Sequence, residues 1–152
     1  MAQGTVVFFD QWLVDVCEIK MDHESGTFYM ALVNTTSVPV ITTTVPHWNG
    51  TGTTNLQANE VAPATGNYAA NGKSLDNPSV TLTGALAEID WDDPATWSSD
   101  PSNPTDAYWG VMYNNQTNKE CVGFVDLGGL FDMTTGDLSI VFAAPVATLN
   151  QA

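Results

Sequence analysis

The sequence predicts an all-β fold: an antiparallel β-sandwich or jelly roll of about seven short strands with long loops and room for one short N-terminal helix. Three observations predict it. Ala107-Tyr108-Trp109-Gly110-Val111-Met112-Tyr113 and Cys121-Val122-Gly123-Phe124-Val125-Asp126-Leu127-Gly128-Gly129 are aromatic and β-branched runs, and they flank the polar stretch Asn114-Asn115-Gln116-Thr117-Asn118-Lys119. That is the pattern of a hairpin. Ser79-Val80-Thr81-Leu82-Thr83 alternates apolar and polar residues like a half-buried strand. Thr, Pro, Gly and Asn punctuate the rest, with no internal repeat and no heptads. The 152 residues suit one domain, 1–152, with a loop-rich segment at about 34–78.

Along the chain, Phe9, Trp12, Leu13 and Val16 fall at i, i+3, i+4 and i+7, which places an apolar stripe on a short helix with Asp10, Gln11 and Asp15 facing away. Val6-Val7-Phe8-Phe9 fits a strand equally well. Asp22-His23-Glu24-Ser25-Gly26 reads as a turn, and Thr27 to Val33 as a core strand. From Val38-Pro39 to about Asn77-Pro78 only Val40 to Val45 has the look of a strand, so the segment is either a set of ordered loops or a flexible arm. Gly84 to Asp90 is a further strand or the approach to one. Asp92 to Pro104 is an acidic, Pro-punctuated loop, and Leu138-Ser139-Ile140-Val141-Phe142 is expected to be the final strand.

Charge narrows the function classes. Three lysines and no arginine face seventeen acids, for a formal charge of -14, while charged residues make up only 13% of the chain. Nucleic acid is therefore not an expected partner, because phosphate affinity rests on clustered Lys and Arg. An anionic membrane surface is disfavoured on the same ground. No apolar run is long enough to span a bilayer and the first residues carry no basic segment, so the chain is expected to stay soluble where it is made. Cys17 and Cys121 lack metal or redox spacing and read as free buried thiols in a reducing compartment rather than as a bridge.

No motif for catalysis or cofactor binding emerges, so the expectation is a non-enzymatic protein with no catalytic residues, no cofactor and no metal. Gly66-Asn67-Tyr68-Ala69-Ala70-Asn71-Gly72 runs into Lys73-Ser74, but its glycines are six residues apart and lack the spacing of a phosphate loop, and the strand and helix flanks that mechanism requires are missing. Its glycines more naturally supply positive φ, with Tyr68 packed on the sandwich. Asp90, Asp92, Asp93, Asp100 and Asp106 suggest a Ca²⁺ site, but the spacing favours a solvated acidic loop. Neither His23 beside Glu24 nor His47 beside Trp48 completes a zinc set. Glu88 and Asp90 share a strand face as glycosidase carboxylates do, yet no second-strand acid accompanies them. No Gly-x-Ser-x-Gly occurs.

Four landmarks in succession carry a resemblance. They are Phe28 to Asn34; Glu60-Val61 leading to Gly66-Asn67-Tyr68-Ala69-Ala70-Asn71-Gly72; Trp97-Ser98; and the strand Tyr108 to Tyr113 ending in Asn114, with its partner at Val122 to Gly128. From about Phe9 to Val141 the chain resembles the small β-rich virion structural proteins of tailed bacteriophages, of the head decoration or capsid cement type. The resemblance implies a capsid decoration protein that binds the outer face of the head lattice and stabilises it. Its partners would be the major capsid protein lattice and copies of itself, as a dimer or trimer. It would be made in the host bacterial cytoplasm and located on the head exterior of the virion. Asn49 to Asn55 and Asp90 to Asp106 are longer than that pattern needs, which leaves open a place in the tail or tail fibre.

Two sets of side chains are candidate contacts. Val6, Val7, Phe8, Phe9 and Trp12 are either ordinary core or an apolar anchor in a neighbouring subunit. Trp48 and Trp91 sit in loops, and as exposed aromatic faces they would stack on sugars in a carbohydrate-binding β-sandwich module, the alternative of another class. The competing reading is that they fill the core.

Overall fold

The two runs richest in aromatic and β-branched residues pair at the centre of the molecule. The computed structural model describes residues 5–36, 38–62 and 65–150, so the N-terminal residues 1–4 lie outside it. In chain order it contains β1 (Val6–Phe8), α1 (Asp10–Cys17), β2 (Phe28–Val33), β3 (Pro46–His47), β4 (Thr54–Asn55), a 3-10 turn at Leu56–Asn59, β5 (Lys73–Leu75), β6 (Ser79–Thr83), β7 (Leu86–Asp90), β8 (Ala107–Asn114), β9 (Cys121–Phe131) and β10 (Ala147–Asn150).

A five-stranded antiparallel sheet runs β1-β9-β8-β2-β5, and a three-stranded antiparallel sheet runs β10-β7-β6. β3 and β4 form a small parallel pair. The larger sheet is covered on both faces. Phe28, Met30 and Leu32 of β2 point into one core with Trp12, Met21, Trp91, Leu138, Ile140 and Phe142, and the smaller sheet closes this core with Ile89 and Ala147. Ala31 and Val33 point the other way, into a second core with Val111, Tyr113, Phe124, Phe9, Trp48 and Leu56. This is a β-sandwich with a second apolar layer behind its larger sheet. It explains why Phe28 to Val33 and Ala107 to Tyr113 read as nearly unbroken apolar runs: a strand buried on both faces has no polar side to alternate with.

Ten strands stand among the described residues where about seven were expected. β1 is the strand that Val6 to Phe9 offered as an alternative to helix, and the additions β3, β4, β5 and β10 are two to four residues long, too short for period-2 patterning to register. Two expected strands are corrected. Val40 to Val45 is a turn closed by Thr43, whose N–H and hydroxyl both donate to the Val40 carbonyl. Leu138 to Phe142 buries Leu138, Ile140 and Phe142 on one side like a strand, yet it pairs through a single bridge between Leu138 and Trp97. The closing strand is β10, and Gly84 to Asp90 contains β7.

Candidate interaction surface

Most polar side chains that looked reactive in the sequence are spent on holding loops. Tyr68 is buried; its hydroxyl accepts from the Leu32 N–H at 3.1 Å and donates to Glu60 Oε1 at 2.9 Å. The same carboxylate oxygen accepts from the Asn71 N–H. Asn71 Oδ1 in turn accepts from Trp48 Nε1 (3.2 Å) and Gln57 Nε2 (2.8 Å), and its carbonyl accepts from the Tyr113 hydroxyl (2.9 Å). Burial holds the Glu60 carboxyl above its ordinary range, partly offset by the Tyr68 and Asn71 bonds. Gly66 and Gly72 sit at φ +70° and +75°, and a Cβ on Gly72 would stand 2.0 Å from the Met30 carbonyl oxygen. The Gly66 to Gly72 stretch is thus a clasp across β2.

Asn103 is a second clasp, and nothing in the sequence marked it. It is buried, with Oδ1 accepting from the N–H groups of Asn67 (2.7 Å) and Tyr68 (3.1 Å) and Nδ2 donating to the carbonyls of Ser98 (2.9 Å) and Met133 (3.1 Å). All four hydrogen-bonding positions of the amide are filled.

The acids of 90–106 are dispersed. Asp90 accepts from its neighbour Trp91, Asp93 from the Phe142 N–H, Asp92 from Asn77 and Asp100 from the Ser102 N–H. Among the described residues, no three His, Cys, Asp or Glu side chains come together to hold a metal ion. Glu88 and Asp90 lie on the polar face of β7, where Glu88 accepts from the Thr83 hydroxyl. Both cysteines are free thiols, but Cys17 is exposed rather than buried.

The aromatic candidates are corrected by their burial. Trp48 is stacked on Tyr113 with ring centroids 5.0 Å apart, and Trp91 packs edge-on to Phe28 at 5.2 Å. Both are buried, so neither offers a face to a sugar ring. Their loop positions misled because these loops fold over the sheet and supply its outer layers.

The N-terminal candidates divide. Val6, Val7 and Phe8 are half-buried on β1, an outer strand of the five-stranded sheet. Phe9 and Trp12 are core side chains, and they serve opposite cores: Phe9 meets Phe124 behind the sheet, whereas Trp12 stacks with Phe8 and donates from Nε1 to His23 Nε2 at 3.3 Å in front of it. They are therefore not surface anchors, and the single stripe Phe9-Trp12-Leu13-Val16 does not exist. Asp15, expected outside, is buried, where it accepts from Gln11 Nε2 (2.9 Å) and Lys20 Nζ (3.0 Å). Leu13 and Val14, by contrast, are 52% and 47% exposed. With Cys17 they form an outward apolar face on α1. The Asp10 N–H donates to the Ile41 carbonyl at 2.9 Å, which brings the exposed Ile41 to the start of this helix, and Ile19 follows its end at 86% exposure. Spacing in the sequence held one clue to this rotation: Gln11 and Asp15 stand at i and i+4, where a Gln can donate to an Asp on the same face.

One cleft, of about 160 Å³, is lined by Val125, Phe131, Asp137, Ile140 and their neighbours, well below the 300–1,000 Å³ usual for small-molecule sites. No helix of the described residues is long and apolar enough to cross a membrane. Comparison with protein-family models, with curated proteins and with solved structures finds no match.

Proposed function

We propose that this chain is a non-enzymatic structural protein of a tailed-bacteriophage virion, a capsid decoration protein that seats on the outer face of the head lattice and stabilises it. The observation that carries the reading is the outward apolar face of α1, Leu13, Val14 and Cys17, flanked by Ile19 and Ile41 on an acidic molecule. Exposed apolar side chains gathered on one element mark interaction surfaces. The rest of the molecule supports the same reading: its buried polar groups brace loops on a stiff double-layered sheet, as a clamp requires. Its charge of -14 suits an outer face remote from packaged DNA. Repetition of a modest contact over a lattice gives high occupancy.

The test is electron microscopy of undecorated shells of the parent particle incubated with the wild-type chain and with Leu13→Asp/Val14→Asp. The wild type is expected to cover the shell at lattice positions, and the variant to stay free with its melting temperature unchanged. Density confined to the tail would move the chain to a tail component, and no binding to either structure would overturn the virion reading.

A further inference from the structure

We infer that the free edge of β6 pairs antiparallel with β6 of a second copy, making a two-fold dimer whose smaller sheets join into one of six strands. The inference does not depend on a virion role. β6 ends the order β10-β7-β6, and its outer side carries no strand among the described residues. Its register aligns Val80 with Ile89 and, across β7, with Ala147; the next apolar row is Leu82, Ala87 and Leu149. One face of this sheet is thus apolar throughout. Ile89 and Ala147 bury theirs in the main core, whereas Val80 and Leu82, at the edge, stand 40% and 79% exposed.

What names the occupant is the strand itself. Ser79-Val80-Thr81-Leu82-Thr83 is self-complementary when it runs antiparallel about Thr81: Val80 meets Leu82 of the copy, Thr81 meets Thr81, and Ser79 meets Thr83. Every apolar side chain then faces an apolar one on the same side of the sheet, and every hydroxyl faces a hydroxyl on the other. Pro78 precedes the strand and Gly84 follows it, which limits the new ladder to these five residues.

Charge allows the pairing. A chain of net charge -14 repels its copies almost everywhere, but β6 bears no charged residue, and neither does its turn, Gly84-Ala85. The nearest carboxylate at the centre of the contact is Glu88, opposite Thr81 one strand inward. In the dimer the two Glu88 positions are three strand spacings apart, about 14 Å, beyond the screening length of about 8 Å in physiological salt. Natural edge strands are commonly guarded by Lys, a bulge or an inward charge, and β6 has none of these. The axis is two-fold and the contact isologous, so it closes at two copies rather than growing into a fibre.

Sedimentation equilibrium of the purified chain over a range of concentrations tests this. The wild type is expected to be a dimer. Leu82→Glu, at a position already exposed, should be a monomer with the circular-dichroism spectrum of the wild type. Thr81→Lys and Thr81→Glu should each be monomeric, and mixing the two chains should restore a dimer, because only a two-fold axis at residue 81 sets one charge against the other. A monomeric wild type at every concentration, a higher oligomer, a dimer indifferent to Leu82→Glu, or a Lys/Glu mixture that stays monomeric would each overturn the inference.

Discussion

His23 shows how one ring can tie stability to acidity. It lies flat against Phe28, with centroids 5.2 Å apart, and edge-on to Trp12 and Trp91, while its Nε2 accepts from the Trp12 indole. The acceptor role places the proton of the neutral ring on Nδ1, which is buried without a partner. Burial among these aromatics pushes the imidazole down from 6.5 to about 4, and the adjacent Asp22 carboxylate recovers only part of the drop. Between those two values the unfolded chain takes up a proton that the folded chain refuses. The stabilising effect of a neutral His23 is therefore complete above the ordinary histidine pKa and is lost as pH falls towards 4, by about 2 kcal/mol. Urea unfolding of the wild type and of His23→Phe across that window reads this directly: the wild type is expected to lose stability relative to the variant as the solution is acidified. Parallel curves would show that the ring titrates alike in the folded and unfolded chains.

At the scale of elements, α1 holds a backbone conflict. Its last turn closes with the Lys20 N–H on the Asp15 carbonyl (3.0 Å) and the Ile19 N–H on the Val16 carbonyl (3.2 Å), which puts Ile19 at φ +55°. This is the left-handed closing position where glycine is preferred, and a β-branched side chain is strained there. Ile19→Gly is expected to raise stability by about 1 kcal/mol, measured as a higher urea midpoint, and to weaken shell binding if α1 is the docking face. A lower midpoint would show that Ile19 packs favourably in the free chain. The existence of α1 was legible in the sequence, as were β2, β6, β8 and β9, because each carries its own pattern of apolar residues. Its orientation was not. Phe9 is drawn behind the sheet by the pairing of β1 with β9, so the face of α1 that turns inward is chosen by the chain's path and not by its own periodicity. Trp48 and Trp91 were misplaced for the related reason that a loop can be a core layer. Asn103 was invisible because an amide has no pattern of its own, only partners far away in the chain.

For the whole molecule, the sheets divide into a protected centre and an exposed margin. β2 and β8 lie inside the five-stranded sheet with apolar layers on both faces, whereas β6 is an outer strand whose side chains are nearly all solvent-exposed. In the monomeric Leu82→Glu chain, amide exchange is expected to be slowest in β2 and β8 and fast in β6, and mass-spectrometric deuterium uptake resolves the two. Equal protection in dilute solution would mean that the molecule opens only as one unit. The loops above this frame converge on Asn103, whose amide joins segments near residues 67, 98 and 133. Asparagines age when the main-chain nitrogen of the next residue attacks the side-chain carbonyl to form a cyclic imide, which opens to an acid. The residue after Asn103 is Pro104, whose nitrogen has no hydrogen to give up, and so the amide on which these loops depend is closed to spontaneous deamidation by that route.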